Sequence, residues 1–364
     1  MIKPFRIALF SSSYFIVPII ESIRINEGKD LQELSLQQYQ QAVSENLVLN
    51  FLPPSLVEQL DLENRQIQLD FIVSQPDRLN RSKVVANPVA QYARDNSIPL
   101  FTPQKINKEY VEFEDQLKQL DLIIVASFGQ IISQKILDFP QFGVINWHPS
   151  KLPSYRGATP LQSALAHGDE TTALTWMEMD KNMDSGDILV QLPYAISSAE
   201  IISEFAENMG KLGSRTWAFA VLLQVLNRQH ILPAKPQNHE QATFCQQLEK
   251  DDSIVTPLSQ SATHIFNHWR AYLLFPGTQI SSSFFAQQVK IRTCCGAFFA
   301  SEMMNPESNI VFEDAEWLQV RSSVDGKNSN KTYLKCFNSS LLEVVEIGLE
   351  NGKILNFSGY TFSR

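Results

Sequence analysis

Four short runs dominated by apolar residues set the strongest limit on what this chain can become. They are residues 5–10 (FRIALF), 67–73 (IQLDFIV), 121–127 (DLIIVAS) and 143–147 (GVINW). A strand with one wet face alternates polar and apolar residues, whereas these runs read as strands covered on both sides. Helix-forming stretches stand between or beside them, at residues 15–24, 88–96, 112–120 and 133–139. Alternation of this kind predicts an α/β fold built on a mostly parallel sheet. Ser11, Ser12 and Ser13 end the first run with no GxGxxG, so a dinucleotide fingerprint is missing.

Further along, residues 173–179 (ALTWMEM) and 188–191 read as two more strands. Residues 199–227 form a long helical stretch interrupted by Gly210 and Gly213. The polar run LPAKPQNHEQATF, with Pro233 and Pro236, reads as an interdomain linker. A helix is expected over residues 260–270. Beyond Pro276 the short segments FFAQQVKIRTC, WLQVRS, KTYLKCF and LEVVEIGL predict a small β-rich barrel or sandwich. At 364 residues the chain is long for one domain. The expected division is 1–200, a helix and linker over 201–240, and 241–364. Residues 28–65 are polar and Gln-rich, with short helices over 31–44 and 54–62, and read as a peripheral insertion without chemistry.

Thirty basic against 39 acidic residues leave a formal charge of −9, which argues against a generally basic, polyanion-binding surface. Local positive charge is densest at Arg78, Arg81 and Lys83. The four cysteines contain no CxxC, which suits a reducing compartment and supplies no thiolate cage. The opening MIKPFRIALFSSSYF is too short for a membrane span and lacks the small-residue pattern of a cleaved leader, so a cytoplasmic location is expected.

The densest unusual segment is GVINWHPSKLPSYRGATP, residues 143–160. Asn146, His148 and Arg156 lie beyond the apolar part of its strand, where open α/β sheets bind ligands. Asn146 and His148 are two apart and share a face if the strand continues through them. Downstream, MDKNMDSGD carries Asp180, Asp184 and Asp187 around Gly186. An amide donor, an imidazole and a carboxylate suit acyl transfer without a covalent intermediate. A hydrolase using Ser150 or Ser154 is the rival, and neither serine sits in GxSxG. His264 and His268 share a helix face but lack a third zinc ligand. The aspartates lack a phosphate loop to go with magnesium, so no metal is expected.

The stretch GVINWHPSKLPSYRGATPLQSALAHGDETTALTWMEMDKNMDSGDIL resembles the core of the folate-dependent formyltransferases. It has their Asn-x-His motif, their SLLPxYRG-like loop and their Asp-x-Gly-Asp turn. SQPDRLNRSKVVANPVAQYARDNSIPLFTP and EQATFCQQLEKDDSIVTPLSQSATHIFNHWRAYLLFPGT are similar to the branch acting on methionyl-tRNA. The resemblance implies a Rossmann-like catalytic domain and an OB-like C-terminal domain that holds tRNA. It implies 10-formyltetrahydrofolate as donor and the α-amine of initiator methionyl-tRNA as acceptor. Asn146, His148 and Asp184 take the catalytic positions. Ala126, Ser127, Phe128, Gly129 and Asp180 take the folate positions. Arg78, Arg81, Lys83, Ser150, Leu152, Pro153 and Arg156 take the substrate positions. Lys327, Lys331 and Lys335, or Lys290 with Arg292, could add a phosphate-binding patch. Where the family has a Gly-Thr-Pro-like turn, this chain has SSSYF. A monomer is expected, with neither DNA nor a membrane as partner. The alternatives are formylation of an amino-sugar nucleotide or a glycinamide ribonucleotide, and a catalytically silent RNA-binding or scaffold protein.

Overall fold

The computed structural model of the chain describes residues 3–48, 52, 65–80, 83–282, 287–299, 309–313, 317–324, 327–350 and 353–357. Arg81 and the helix expected over residues 54–62 lie outside them. Two compact units divide the chain. The first comprises Met1–Pro160, Thr171–Ala195 and Ala206–Cys245, and the second Leu161–Glu170, Ile196–Phe205 and Gln246–Arg364.

The first unit is built on a seven-stranded sheet. Its strands are β1 (Lys3–Ser11), β2 (Arg65–Val73), β5 (Leu100–Phe101), β6 (Leu122–Ala126), β7 (Val144–His148), β9 (Thr171–Glu178) and β10 (Ile188–Ala195). A hairpin of β3 (Arg78–Asn80) and β4 (Lys83–Val85) follows β2. A two-residue strand, β8 (Arg156–Gly157), follows β7. The order across the sheet is β10-β9-β7-β6-β1-β2-β5. The five strands from β5 to β7 are parallel, and β9 runs antiparallel to both its neighbours. Chain order reverses on either side of β1, which makes the carboxyl edge between β1 and β6 the topological switch point. Ile7, Leu9, Ile123, Ile124 and Ile145 are all fully buried, as strands covered on both faces require.

Helix α1 (Val17–Ile25) carries Pro18 in its first turn and buries Ile19, Ile20 and Ile23. Helix α2 (Leu31–Ser44) is capped by Asp30, whose carboxylate accepts the Glu33 N–H at 3.0 Å. Its Gln-rich sequence conceals a packed face of Leu31, Leu34, Ser35, Gln38, Tyr39 and Ala42. That face meets helix α5 (Trp217–Arg228). The Ser35 hydroxyl donates to the Ala218 carbonyl, and the Gln38 side-chain oxygen accepts the Ala218 N–H at 2.8 Å. Residues 31–44 are therefore part of the core of this unit, not a peripheral insertion. Helix α3 (Pro88–Asp95) is capped by Asn87. The long helix expected after residue 199 is two, α4 (Ile202–Ser214) and α5. Gly210 presses on the Phe15 carbonyl and Gly213 on Trp147 and Ile19, approaches that a Cβ would block.

The second unit is an antiparallel sheet in the order β12-β13-β17-β16-β15-β14, with β18 paired to β17. These are β12 (Thr278–Ser282), β13 (Gln287–Phe299), β14 (Asn309–Glu313), β15 (Trp317–Val324), β16 (Lys327–Cys336), β17 (Ser340–Leu349) and β18 (Ile354–Asn356). Helix α6 (Ala262–Tyr272) shares its core, where Ile265 and Trp269 cluster with Trp317, Leu342, Ile347 and Phe357. The β-rich character expected of residues beyond Pro276 is thus observed. His268 is a packed core residue, held between the Thr278 hydroxyl at 2.9 Å and the Asp252 carbonyl at 2.7 Å.

Candidate active site

Strand β7 lies between β6 and β9 and is buried along its whole length. Side chains alternate across a strand, so Ile145 and Trp147 face one side of the sheet and Asn146 and His148 the other. Trp147 packs on Phe15 with ring centroids 5.8 Å apart. Pairing with β6 and β9 sets the register that presents Asn146 and His148 at the carboxyl edge. Both are under 9% exposed.

Asp184 reaches them from the turn joining β9 to β10. Asp180 organises that turn, its carboxylate accepting the Asn182 N–H and the Ser185 hydroxyl at 2.9 Å each. Gly186 sits so close to the Glu178 carbonyl that a Cβ would overlap it. Asp184 itself has φ of +48°, which Asp tolerates better than most residues. Its Oδ2 accepts the Gly157 N–H at 2.8 Å. Its Oδ1 lies 3.3 Å from the Asn146 amide nitrogen and 3.7 Å from His148 Nδ1. The three groups picked out in the sequence therefore share one place, although Asp184 follows a separate strand.

The imidazole geometry assigns its proton. His148 Nε2 lies 3.0 Å from the Tyr155 carbonyl, which can only accept, so the neutral ring carries hydrogen on Nε2. Nδ1 is then the basic nitrogen, and it faces the Asp184 carboxylate.

Arg156 is buried behind this cluster. Its Nε and Nη2 both donate to Gln237 Oε1, at 3.1 and 2.7 Å, and Nη2 also meets His239 Nδ1 at 3.0 Å. Burial pushes its pKa down, while the Asp184 and Asp180 charges push it up; a guanidinium stays charged under either influence. The Gln237 amide nitrogen donates to the carbonyls of Asp184 at 3.0 Å and Gly186 at 2.7 Å. The run read as a linker thus crosses the site. Beyond Gln237, β11 (Phe244–Cys245) pairs in parallel with β8. Sequence reading missed Gln237 because a lone Gln after a proline in a polar run carries no periodic signal of burial.

The other expected positions fall in several places. Ala126 ends β6 at the switch point, and Ser127, Phe128 and Gly129 follow it; Ser127 has φ of +48° and Gly129 of +77°. Ser12 laces this edge together. Its N–H donates to the Ser127 carbonyl, its hydroxyl donates to the Phe128 carbonyl, and that hydroxyl accepts the Gln75 N–H. The SSSYF turn therefore closes the switch point by a hydroxyl bridge. An open cleft of about 660 Å³ adjoins it, lined by Gln75, Pro76, Arg78, Gln104, Gly129 and Gln130 among others. Arg78 and Lys83 are exposed on the β3–β4 hairpin. Ser150 and Leu152 are buried. Ser150 donates its hydroxyl to the Ser154 carbonyl, and Leu152 packs on Met177 and Ile188. The Pro153 carbonyl accepts the Thr243 N–H. In the second unit Lys331 is paired with Glu343 at 3.0 Å. Among the described residues, no group of three or more His, Cys, Asp or Glu could hold a metal, and no helix is long and apolar enough to cross a membrane.

Comparison with known proteins places this geometry in context. The family described as formyl transferase matches residues 51–221. The methionyl-tRNA formyltransferase of a Sulfurihydrogenibium species is 33% identical over 230 residues, covering 62% of this chain and 71% of that protein. That of Francisella tularensis subsp. mediasiatica is 34% identical over 221 residues, covering 60% and 68%. That of Kosmotoga olearia is 35% identical over 212 residues, covering 57% and 66%. The chain spans about two thirds of the length of such relatives. Among solved structures, the sugar 3N-formyl transferase WlaRD has the same fold, with a TM-score of 0.52 at 16% identity, over 94% of this chain and 97% of that one. A sugar N-formyltransferase from a Shewanella species gives 0.51 at 14% identity, over 79% and 97%.

Proposed function

Because the chain belongs to the formyl transferase family, we propose that it moves a formyl group from 10-formyltetrahydrofolate to the α-amine of methionine esterified to initiator tRNA. We place this activity in the cytoplasm, in a monomer. One observation carries the chemistry: an amide donor at 3.3 Å and a basic imidazole nitrogen at 3.7 Å share one carboxylate oxygen, Asp184 Oδ1, at the carboxyl edge of the sheet. The methionyl-tRNA acceptor is favoured by the names of the relatives at 33–35% identity.

The donor supplies an activated formyl carbon. An amine attacking it leaves negative charge on the formyl oxygen, and the Asn146 amide is the donor for that oxygen. His148 accepts the amine proton at Nδ1 and delivers it to the departing nitrogen. Asp184 holds that imidazole in place and stabilises its charged form through Oδ1. The backbone of Ala126, Ser127, Phe128 and Gly129, with Asp180 organising the opposite turn, forms the folate side. This reading is supported by the cleft beside the switch point, which Gly129 lines with Gln75 packed closely against it. Arg78, Arg81 and Lys83 meet the tRNA acceptor end, and Arg156, Ser150, Leu152 and Pro153 hold the loop beneath it.

The test is formyl transfer from 10-formyltetrahydrofolate to charged initiator tRNA, run beside uncharged tRNA and an amino-sugar nucleotide. Transfer to methionyl-tRNA alone is expected, and transfer only to the sugar would replace this reading. Asn146→Ala should lower kcat by about 100-fold, the loss of one oxyanion donor. Near-normal turnover would remove Asn146 from the mechanism.

A further inference from the structure

We infer that Gln237 is a positioning residue that sets the Asp184 carboxylate against His148; the inference rests on the formyl-transfer reading. Gln237 is 5% exposed, and both ends of its amide are engaged. Its nitrogen donates to the carbonyls of Asp184 and Gly186, on both sides of Ser185. Its oxygen accepts two bonds from Arg156. Two carbonyl acceptors and one cation thus fix the amide orientation, because a flipped amide would set oxygen against two carbonyls.

The clamp joins the two loops that meet at the imidazole. One loop carries Tyr155, whose carbonyl holds His148 Nε2–H, then Arg156, then Gly157, whose N–H holds Asp184 Oδ2. The other carries Asp184 with left-handed backbone. Gly157 fixes only one carboxylate oxygen. The backbone of Asp184 is fixed by Gln237, and through it the distance from Oδ1 to His148 Nδ1. Gln237→Glu, which keeps the bond to Arg156, should therefore act through the turn that carries Asp184.

Length and polarity both matter. Asn is one methylene too short to reach both loops. Glu preserves the bond to Arg156 but faces two carbonyl oxygens with a third oxygen. Met preserves volume and removes every bond.

The experiment is a double-mutant cycle on kcat, with Gln237→Met and Gln237→Glu each made in wild-type and Asp184→Asn backgrounds. In the wild-type background each should lower kcat by about 10- to 100-fold, as a small misplacement of a reacting group does, with both KM values within about 3-fold. In the Asp184→Asn background the same change should alter kcat by less than about 2-fold. Equal losses in both backgrounds would show a general structural role and overturn the inference, as would full kcat in the Gln237→Glu protein. If the Gln237→Met protein fails to fold, the Gln237→Glu protein carries the cycle. If the wild-type chain transfers no formyl group to methionyl-tRNA, the functional reading falls. The ¹⁵N signals of His148 then decide the clamp separately. They should move in a folded Gln237→Glu protein, and unchanged signals would refute it.

Discussion

Adding one methyl group at residue 157 tests the site geometry most directly. Gly157 has φ of +119°, and a Cβ there would overlap the Cys245 carbonyl oxygen and lie 3.3 Å from its carbon. Both clashing partners are backbone, so no side chain can swing away. Two adjustments are open to Gly157→Ala. The β8–β11 pair can part, weakening the bonds from the Arg156 N–H to the Thr243 carbonyl at 2.8 Å and from the Ala158 N–H to the Cys245 carbonyl at 3.1 Å. Alternatively the 157 peptide can turn, which removes the N–H bond to Asp184 Oδ2. Backbone strain of about 1–3 kcal/mol adds to a lost bond of about 1–3 kcal/mol, so a cost of about 4 kcal/mol is expected. Gly28 supplies the control, because its φ is also positive, at +79°, yet nothing lies within 4 Å of an added Cβ. Gly28→Ala should cost only about 1 kcal/mol. Urea unfolding followed by the buried Trp147, Trp176 and Trp217 gives both values, and kcat for formyl transfer gives the functional one. Transfer should fall by about 100-fold in the Gly157→Ala protein and stay near normal in the Gly28→Ala protein. Equal stability losses, or an active Gly157→Ala enzyme, would refute the close approach of residue 157 to Cys245 and Asp184.

Asn146→Asp places a second carboxylate beside Asp184, and like charges at this spacing favour taking up a proton. Stability relative to wild type is then lost as pH rises and recovered as it falls, so the difference in urea midpoint should shrink from pH 7 to pH 5. A difference independent of pH would contradict the contact. In the second unit, burial depresses the His268 pKa below its usual value of 6.5. The unfolded chain therefore takes up the proton first. Stability is present above about pH 6.5 and lost below it, and a His268→Gln protein should show a shallower loss between pH 7 and pH 5. Parallel pH curves for the two proteins would exclude His268 as the source.

Much of this architecture could be read in the sequence, for identifiable reasons. The runs at 5–10, 121–127 and 143–147 lack polar alternation because their strands are buried on both faces, and the parallel sheet follows from that. Asn146 and His148 stood out because polar side chains ending such a strand need a reason to be there. Asp184 stood out in the sequence only as one of three aspartates around Gly186, and the resemblance singled it out, since nothing periodic links it to β7. The misread elements share a different cause. Gln38 and Gln237 are polar residues in polar surroundings, and propensity assigns such residues to the surface. Each is buried because it meets backbone groups that would otherwise lack partners. Gln38 serves the Ala218 and Phe219 N–H groups at the start of α5, where no side chain of α5 itself caps the helix. Gln237 serves two carbonyls of the catalytic turn. Pairings of this kind depend on distant chain segments meeting, and local patterns hold no record of them.

Three non-glycine residues with left-handed backbone, Ser127, Tyr155 and Asp184, occupy the loops around the candidate site. Each conformation costs of order 1 kcal/mol or more, and each persists where neighbouring bonds over-determine it. The Ser127 carbonyl is held by the Ser12 N–H. Tyr155 is held on one side by the Thr243 hydroxyl, which accepts its N–H at 2.8 Å, and on the other by His148. Asp184 is held by Gly157 and Gln237. The supports come from four stretches far apart in the chain, around residues 12, 148–157, 184 and 237–243. A loop with this shape in isolation would relax. The sheet supplies the edge, but the segment crossing back from α5 supplies the rigidity. A transfer reaction that relies on placing three side chains around one carbon therefore depends as much on residues 237–245 as on the strand that carries the asparagine and the histidine.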